Sequence, residues 1–105
     1  MKPTLNRDHI HTALAALEAC AEAWGIELDE CQDGGPRAPG TEPRLMAYTL
    51  AFERLKSGPA VAKLFNKHHD SIYSGMHTMR DLVDTCPKTK KKAEEARLIF
   101  ERLAA

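Results

Sequence analysis

Apolar side chains recur at steps of three and four along most of this 105-residue chain, and no stretch alternates with a period of two. Such steps place side chains on one face of an α-helix, whereas a half-buried strand needs alternation. A chain of this length has room for one hydrophobic core. The pattern therefore predicts an all-α fold: a single domain over 1–105 that forms a compact bundle of four to five helices.

Glycine and proline predict where the first helices end. The first helix is expected from about Asp8, a side chain suited to the N-cap, to Trp24, with Gly25 stopping it. Its inward face is expected to carry Ile10, Leu14, Leu17, Ala21 and Trp24. One more helical turn follows near Leu28. The segment 32–43, QDGGPRAPGTEP, is predicted to be a flexible loop.

The second half of the chain predicts four helices. They are a long helix from near Pro43, a short helix at 60–65, a longer helix from about 70 to 85 and a last helix at 88–103. Asp70 or Ser71 is expected to cap the third of these. The expected inward side chains are Leu45, Tyr48, Phe52, Leu55, Val61, Leu64, Phe65, Ile72, Met76, Met79, Val83, Ala96, Ile99, Phe100 and Leu103.

Charge is unevenly distributed along the chain. The 15 basic and 15 acidic side chains sum to zero, and that sum alone argues against a nucleic-acid-binding protein. By segment, however, residues 1–43 carry −5, residues 44–92 carry +6 and residues 93–105 carry −1. Because salt screens charges beyond about 8 Å, a polyanion can meet the basic part without the acidic part. The distribution therefore keeps a nucleic-acid partner open.

Cysteine usage and hydropathy restrict the class of protein further. The three cysteines are odd in number and lack CxxC spacing, which favours reduced thiols over a disulfide framework or a zinc cage. Cys20 and Cys86 are expected to be buried apolar fillers. No apolar run approaches about 18 residues and no signal pattern opens the chain, so a cytoplasmic protein without a membrane partner is expected.

A short apolar helix, a polar turn and a longer helix over 59–86 have the outline of a helix-turn-helix. In such a unit the second helix lies in the major groove and its N-terminal residues meet base edges. The side chains at the predicted entry point are Lys67, His68, His69, Asp70, Ser71 and Ser74. They offer a cation for phosphate and several hydrogen-bonding groups for bases.

The stretch from Arg44 to Leu82 resembles the C-terminal DNA-binding domain of the bacterial replication initiator DnaA. The resemblance rests on an Arg-x-x-Ala-x-x-Leu-Ala start at 44–51, on Phe65 at the end of the short helix, and on the run Lys-His-His-Asp-Ser-Ile at 67–72. Upstream, the segment ending in WGIELDEC is similar to the first helix and turn of that family. The likeness covers the chain from about residue 9 onward.

This resemblance implies a Trp-repressor-like helix-turn-helix that reads double-stranded DNA. It implies base contacts from His69 and Ser71, with Asp70 between them and Tyr73 near thymine methyls. Together with the entry-point residues, the predicted base-contacting side chains are His68, His69, Asp70, Ser71, Tyr73 and Ser74. It implies a phosphate contact from Lys67 and a weak minor-groove contact from Arg37. Further candidate phosphate contacts in the basic part of the chain are Arg44, Lys63, Lys88 and Lys90. The chain departs from the family at Asp70, where the family prefers threonine, and in a loop with Arg37 as its only cation. No GxxxxGK[ST] phosphate loop is present, so the ATPase core is absent from this sequence.

Three functional hypotheses follow. The first is a small sequence-preferring DNA-binding regulator of replication initiation or transcription, in the bacterial nucleoid or a phage-infected cell. The second is a protein-interaction module that binds a replication initiator or another replication protein and has little DNA affinity. The third is a DNA-associated homodimer paired through its first helix. No enzymatic activity, cofactor or metal is expected, because no nucleophile–base set or metal-ligand spacing is visible.

Overall fold

The computed structural model describes residues 7–32 and 40–105, and this part of the chain contains helices and no strand. The elements are α1 Arg7–Trp24, α2 Leu28–Gln32, α3 Thr41–Leu55, α4 Gly58–Leu64, α5 His69–Thr85 and α6 Pro87–Leu103. The predicted all-α fold is confirmed. The helix count rises to six in the described residues because the single turn near Leu28 is a helix of its own.

Local chemistry explains most helix boundaries. Gly25 has a φ of +69°, the left-handed conformation that ends α1 as predicted. The Ser57 side chain accepts a hydrogen bond from the Ala60 N–H at 3.2 Å, and this bond caps α4. Pro87 opens α6, where its missing N–H costs nothing. Ser57, Gly58 and Pro59 thus separate α3 from α4 and also form the start of α4.

The predicted loop at 32–43 is corrected at both ends. Gln32 belongs to α2, and α3 begins at Thr41, two residues before the expected start at Pro43. Pro43 still lies in the first turn of α3, which tolerates its fixed φ. The middle of the predicted loop, 33–39, lies outside the described residues.

The inward face of α1 differs from the predicted one. Ile10 and Leu14 are 49% and 43% exposed, so the expectation that they face inward is wrong. The buried positions of α1 are mostly small: Thr12, Ala13, Ala15, Ala16, Leu17, Ala19, Cys20, Ala21 and Ala23. This face packs against α3 and α6. Small side chains let three helices approach closely, which the larger Ile10 and Leu14 would prevent.

The core lies around α1, α3 and α6, and a second cluster joins α3 to α4 and α5. Met46 and Leu50 of α3 are fully buried in the first cluster, with Trp24 packed half-buried against it. Leu103, predicted to face inward, is 38% exposed because α6 ends there. None of the helices in the described parts of the chain is long and apolar enough to cross a membrane.

The three cysteines differ in environment. Cys20 and Cys31 are buried, and desolvation raises the pKa of both thiols, that of Cys31 to about 11. Cys86 is only half-buried, which corrects the expectation that it is a buried filler. It precedes α6, and hydrogen bonds with the Thr89 side chain and with backbone N–H groups of the first turn lower its pKa.

We expect iodoacetamide to alkylate Cys86 well before Cys20 and Cys31 in the folded protein. A lowered pKa gives Cys86 more thiolate at neutral pH, and the thiolate is the nucleophile. Peptide mass spectrometry over a time course measures the three rates. The Cys86→Ser variant should show almost no labelling until denaturant is added. Equal rates at all three thiols in native buffer would contradict these environments.

Candidate nucleic-acid interface

Helices α4 and α5 are joined by a short turn whose backbone is held by hydrogen bonds. Asn66 adopts a left-handed φ of 55°, which asparagine tolerates better than most residues. The Lys67 N–H then donates to the Ala62 carbonyl at 2.8 Å and closes the end of α4. The left-handed residue thus ends α4 and lets the chain turn into α5 within a few residues, as a helix-turn-helix does.

His68 caps α5, which corrects the prediction that Asp70 or Ser71 does so. The Nδ1 atom of His68 accepts a hydrogen bond from the Asp70 N–H at 3.1 Å. A ring nitrogen here replaces the side-chain oxygen that usually caps a helix. Both Asp70 and Ser71 are therefore inside α5, in its first turn.

The inner face of α5 is fixed against α3 and α4. Ile72 is fully buried among Tyr48, Val61 and neighbouring alanines. A Cβ on Gly75 would lie 2.8 Å from a Leu45 methyl and 3.1 Å from the Tyr48 ring, so the absence of a side chain permits this close approach. The Tyr48 and Phe65 rings also meet edge to face, with centroids 4.9 Å apart.

The outer face of α5 carries the predicted base-contacting side chains. Six of them are exposed: His68, His69, Asp70, Ser71, Tyr73 and Ser74. Exposed His77 lies one turn beyond Tyr73 and was not among the predicted contacts. His77 follows Asp70 by seven residues and Ser74 by three, and this helical spacing is the signal from which its place on the same face could have been predicted.

His68, His69 and Asp70 form a cluster at the first turn of α5. The two imidazole rings are stacked, with centroids 4.2 Å apart. The His68 Nδ1 atom lies 3.5 Å from one Asp70 oxygen, and the His69 Nε2 atom lies 3.3 Å from the other. Because all three side chains are more than half exposed, these contacts add little stability. The contacts do place one nitrogen of each imidazole ring next to the same carboxylate.

Tyr73 is only partly available to a ligand. It is 46% exposed, and its ring meets Phe52 edge to face with centroids 5.9 Å apart. Its hydroxyl lies so close to Gly58 that a Cβ there would overlap it. Gly58, predicted only as part of a helix break, therefore also makes room for Tyr73 between α4 and α5.

The four lysines among the predicted phosphate contacts lie in two separate places. Lys63 and Lys67 are exposed, in the last turn of α4 and in the turn beside His68. Lys88 and Lys90 are exposed near the start of α6. They follow the far end of α5, a helix about 25 Å long at 1.5 Å per residue. The structure therefore does not bring them to the entry point.

Arg44 does not lie on the surface, so the predicted phosphate contact from this residue is wrong. It is 7% exposed and lies beside Tyr48, one turn further along the same face of α3. Its Nη1 atom has no hydrogen-bond partner in the structure. The predicted minor-groove residue, Arg37, lies outside the described residues.

A cleft of about 570 Å³ opens between α3, α5 and α6. Its apolar lining includes Met46, Met76 and Met79. A two-pronged ion pair between Arg97 and Glu53 lies at its edge, with Nη2 to Oε2 at 3.3 Å. Of the predicted site residues, the cleft takes in Tyr73 and Lys90.

Comparisons of the chain with protein-family models, with curated proteins and with solved structures found no match. The resemblance to the DnaA domain therefore stays a prediction from the sequence.

Proposed function

We propose that this chain is a small sequence-preferring double-stranded DNA-binding protein, a regulator of replication initiation or transcription. It would read the major groove with the N-terminal part of α5. The observation that carries the proposal is the division of α5 into two faces. Ile72, Gly75 and Met79 are buried against the bundle, while the polar side chains between them are exposed.

The dimensions of α5 suit this role. A helix with its side chains is about 10–12 Å across, and the major groove is about 12 Å wide. The first turn of α5 directly follows the α4–α5 turn, and its polar side chains are exposed. These side chains can therefore enter a groove while α4 stays at the DNA backbone. Buried Ile72 keeps α5 at a fixed angle to α4.

The chemistry of the exposed face supports base and phosphate contacts together. The His69 ring and the Ser71 hydroxyl can donate to or accept from base edges, and the Asp70 carboxylate can accept from cytosine N4. Lys63 and Lys67 flank these groups and can pair with phosphates. The His68 ring caps α5 through Nδ1, which leaves Nε2 as the atom directed to a base.

Two alanine substitutions should separate phosphate from base contacts. Lys67→Ala is expected to weaken binding to all sequences alike and to reduce the salt slope of log affinity by about 0.9. His69→Ala is expected to cost about 1–3 kcal/mol on the preferred site and to relax its sequence preference. Fluorescence anisotropy with labelled duplexes, selected from a random pool, measures both effects over a range of salt concentrations.

Lys91→Ala is the matched control, because it removes the same charge from the start of α6, beyond the far end of α5. It should leave the sequence preference intact and change the affinity less than Lys67→Ala does. If no duplex in the pool binds above the nonspecific level at low salt, the proposal is wrong.

A further inference from the structure

Three metal-binding side chains converge at the start of α5. One donor atom each from His68, His69 and Asp70 lies within 4.8 Å of the other two. The two closest separations between nitrogen and carboxylate oxygen are 3.3 and 3.5 Å. Ligands about 2.0–2.1 Å from a tetrahedral ion stand about 3.3 Å apart. Each imidazole nitrogen is therefore already at about ligand spacing from one Asp70 oxygen, and small side-chain rotations would bring all three donors around one ion.

The donor set indicates which ions fit. Two imidazoles and one carboxylate suit Zn²⁺ and its neighbours in the first transition row, whereas Mg²⁺ and Ca²⁺ prefer oxygen alone. All three side chains are exposed, so water can complete the coordination shell without rearranging the core. We propose that His68, His69 and Asp70 bind one divalent transition-metal ion of the Zn²⁺ type, and that the bound ion opposes DNA binding.

Metal binding must change the cap of α5. The His68 Nδ1 atom accepts the Asp70 N–H, and an ion on that nitrogen replaces this hydrogen bond. The positive end of the helix and neighbouring Lys67 disfavour a cation, while the Asp70 carboxylate favours one. These opposing effects place the site among weak, exchangeable metal sites rather than permanent structural ones.

The effect on DNA rests on the proposed function. His69 and Asp70 are the same side chains that would contact bases. A metal-bound imidazole nitrogen has no lone pair left to accept a hydrogen bond from a base, and a metal-bound carboxylate has fewer acceptor sites left for one. DNA binding and metal binding therefore exclude each other at this turn. Metal binding itself depends only on the cluster and can be measured without DNA.

The first experiment titrates the untagged full chain with Zn²⁺ alone by calorimetry and with Co²⁺ by visible absorption. We expect one ion per chain at this site. His69→Ala and Asp70→Asn should each weaken binding at least about tenfold, since even changes to outer-shell partners cost about 10–100-fold. His77→Ala, on the same face two turns from His69, and Cys86→Ser should leave the affinity unchanged. Circular dichroism confirms that each variant is folded.

The second experiment adds Zn²⁺ to the anisotropy assay with the preferred duplex. The wild-type affinity should fall, and that of Asp70→Asn should not respond. Unchanged Zn²⁺ affinity in both His69→Ala and Asp70→Asn would overturn the metal site. Metal binding that the variants abolish, without any DNA binding, would uphold the site and reject only the proposed function. Simultaneous binding of metal and DNA at full affinity would overturn the antagonism.

Discussion

The Ile72→Ala variant is expected to lose about 2–5 kcal/mol of unfolding free energy. Ile72 is fully buried where α5 meets α3 and α4, so truncation removes apolar contacts and leaves a cavity. The total unfolding free energy of a small domain is about 5–15 kcal/mol, so this loss is a large share of the stability. Urea denaturation followed by circular dichroism measures it.

Ile72→Val is the matched variant, because it removes one methylene from the same place. Its expected cost is about 0.5–1.5 kcal/mol. Since Ile72 also holds α5 against the other helices, the alanine variant should loosen the presentation of the outer face before the fold is lost. A cost below that of Ile72→Val would mean that α5 is not anchored by this side chain.

Gly40→Ser is expected to destabilise the protein by about 1–3 kcal/mol, although serine is a favoured N-cap residue. Gly40 precedes α3 with a φ of −83°, so its backbone conformation does not require glycine. Glycine is required instead by the lack of space, because a Cβ would overlap the Glu30 carbonyl oxygen and lie 3.0 Å from the Cys31 Cα. Because both neighbours are backbone atoms, α2 and α3 would have to separate.

Gly58→Ala provides the comparison for Gly40→Ser. There the added Cβ meets the Tyr73 hydroxyl, the far end of a half-exposed side chain that can rotate away. Its cost should be clearly smaller, and its visible effect should be a change in Tyr73 fluorescence. Thermal unfolding of both variants under the same conditions compares the stability lost in Gly40→Ser with that lost in Gly58→Ala. Equal costs would show that the contact between α2 and α3 can yield.

The end of α1 and the breaks before α4 and α6 were predictable because single residues determine them. Gly25, Ser57 and Pro87 act through their own φ angle, hydroxyl group or missing N–H, with little help from the rest of the chain. The exposed polar residues at the start of α5 were predictable for a similar reason. They follow a turn and precede an apolar stripe, and both signals are local.

The face of α1 and the position of Arg44 were not predictable in this way, because packing partners decide them. On α1, large apolar residues outside the alanine face suggested a different inward side, and only the close approach of α3 and α6 selects the alanines. Arg44 lies four residues before Tyr48, on a face that is buried along its length. The His68 cap was missed because histidine is not among the usual capping residues.

The alanine face of α1 also has a thermodynamic consequence. Alanine has no rotatable side chain beyond its methyl group, so burying it costs essentially no side-chain conformational entropy. Buried Met46 of the facing helix α3, by contrast, loses rotamer freedom of up to about 1.5–2 kcal/mol. The alanines of α1 thus contribute close contact at almost no entropic cost, and larger flexible side chains that fill the remaining volume come from other helices.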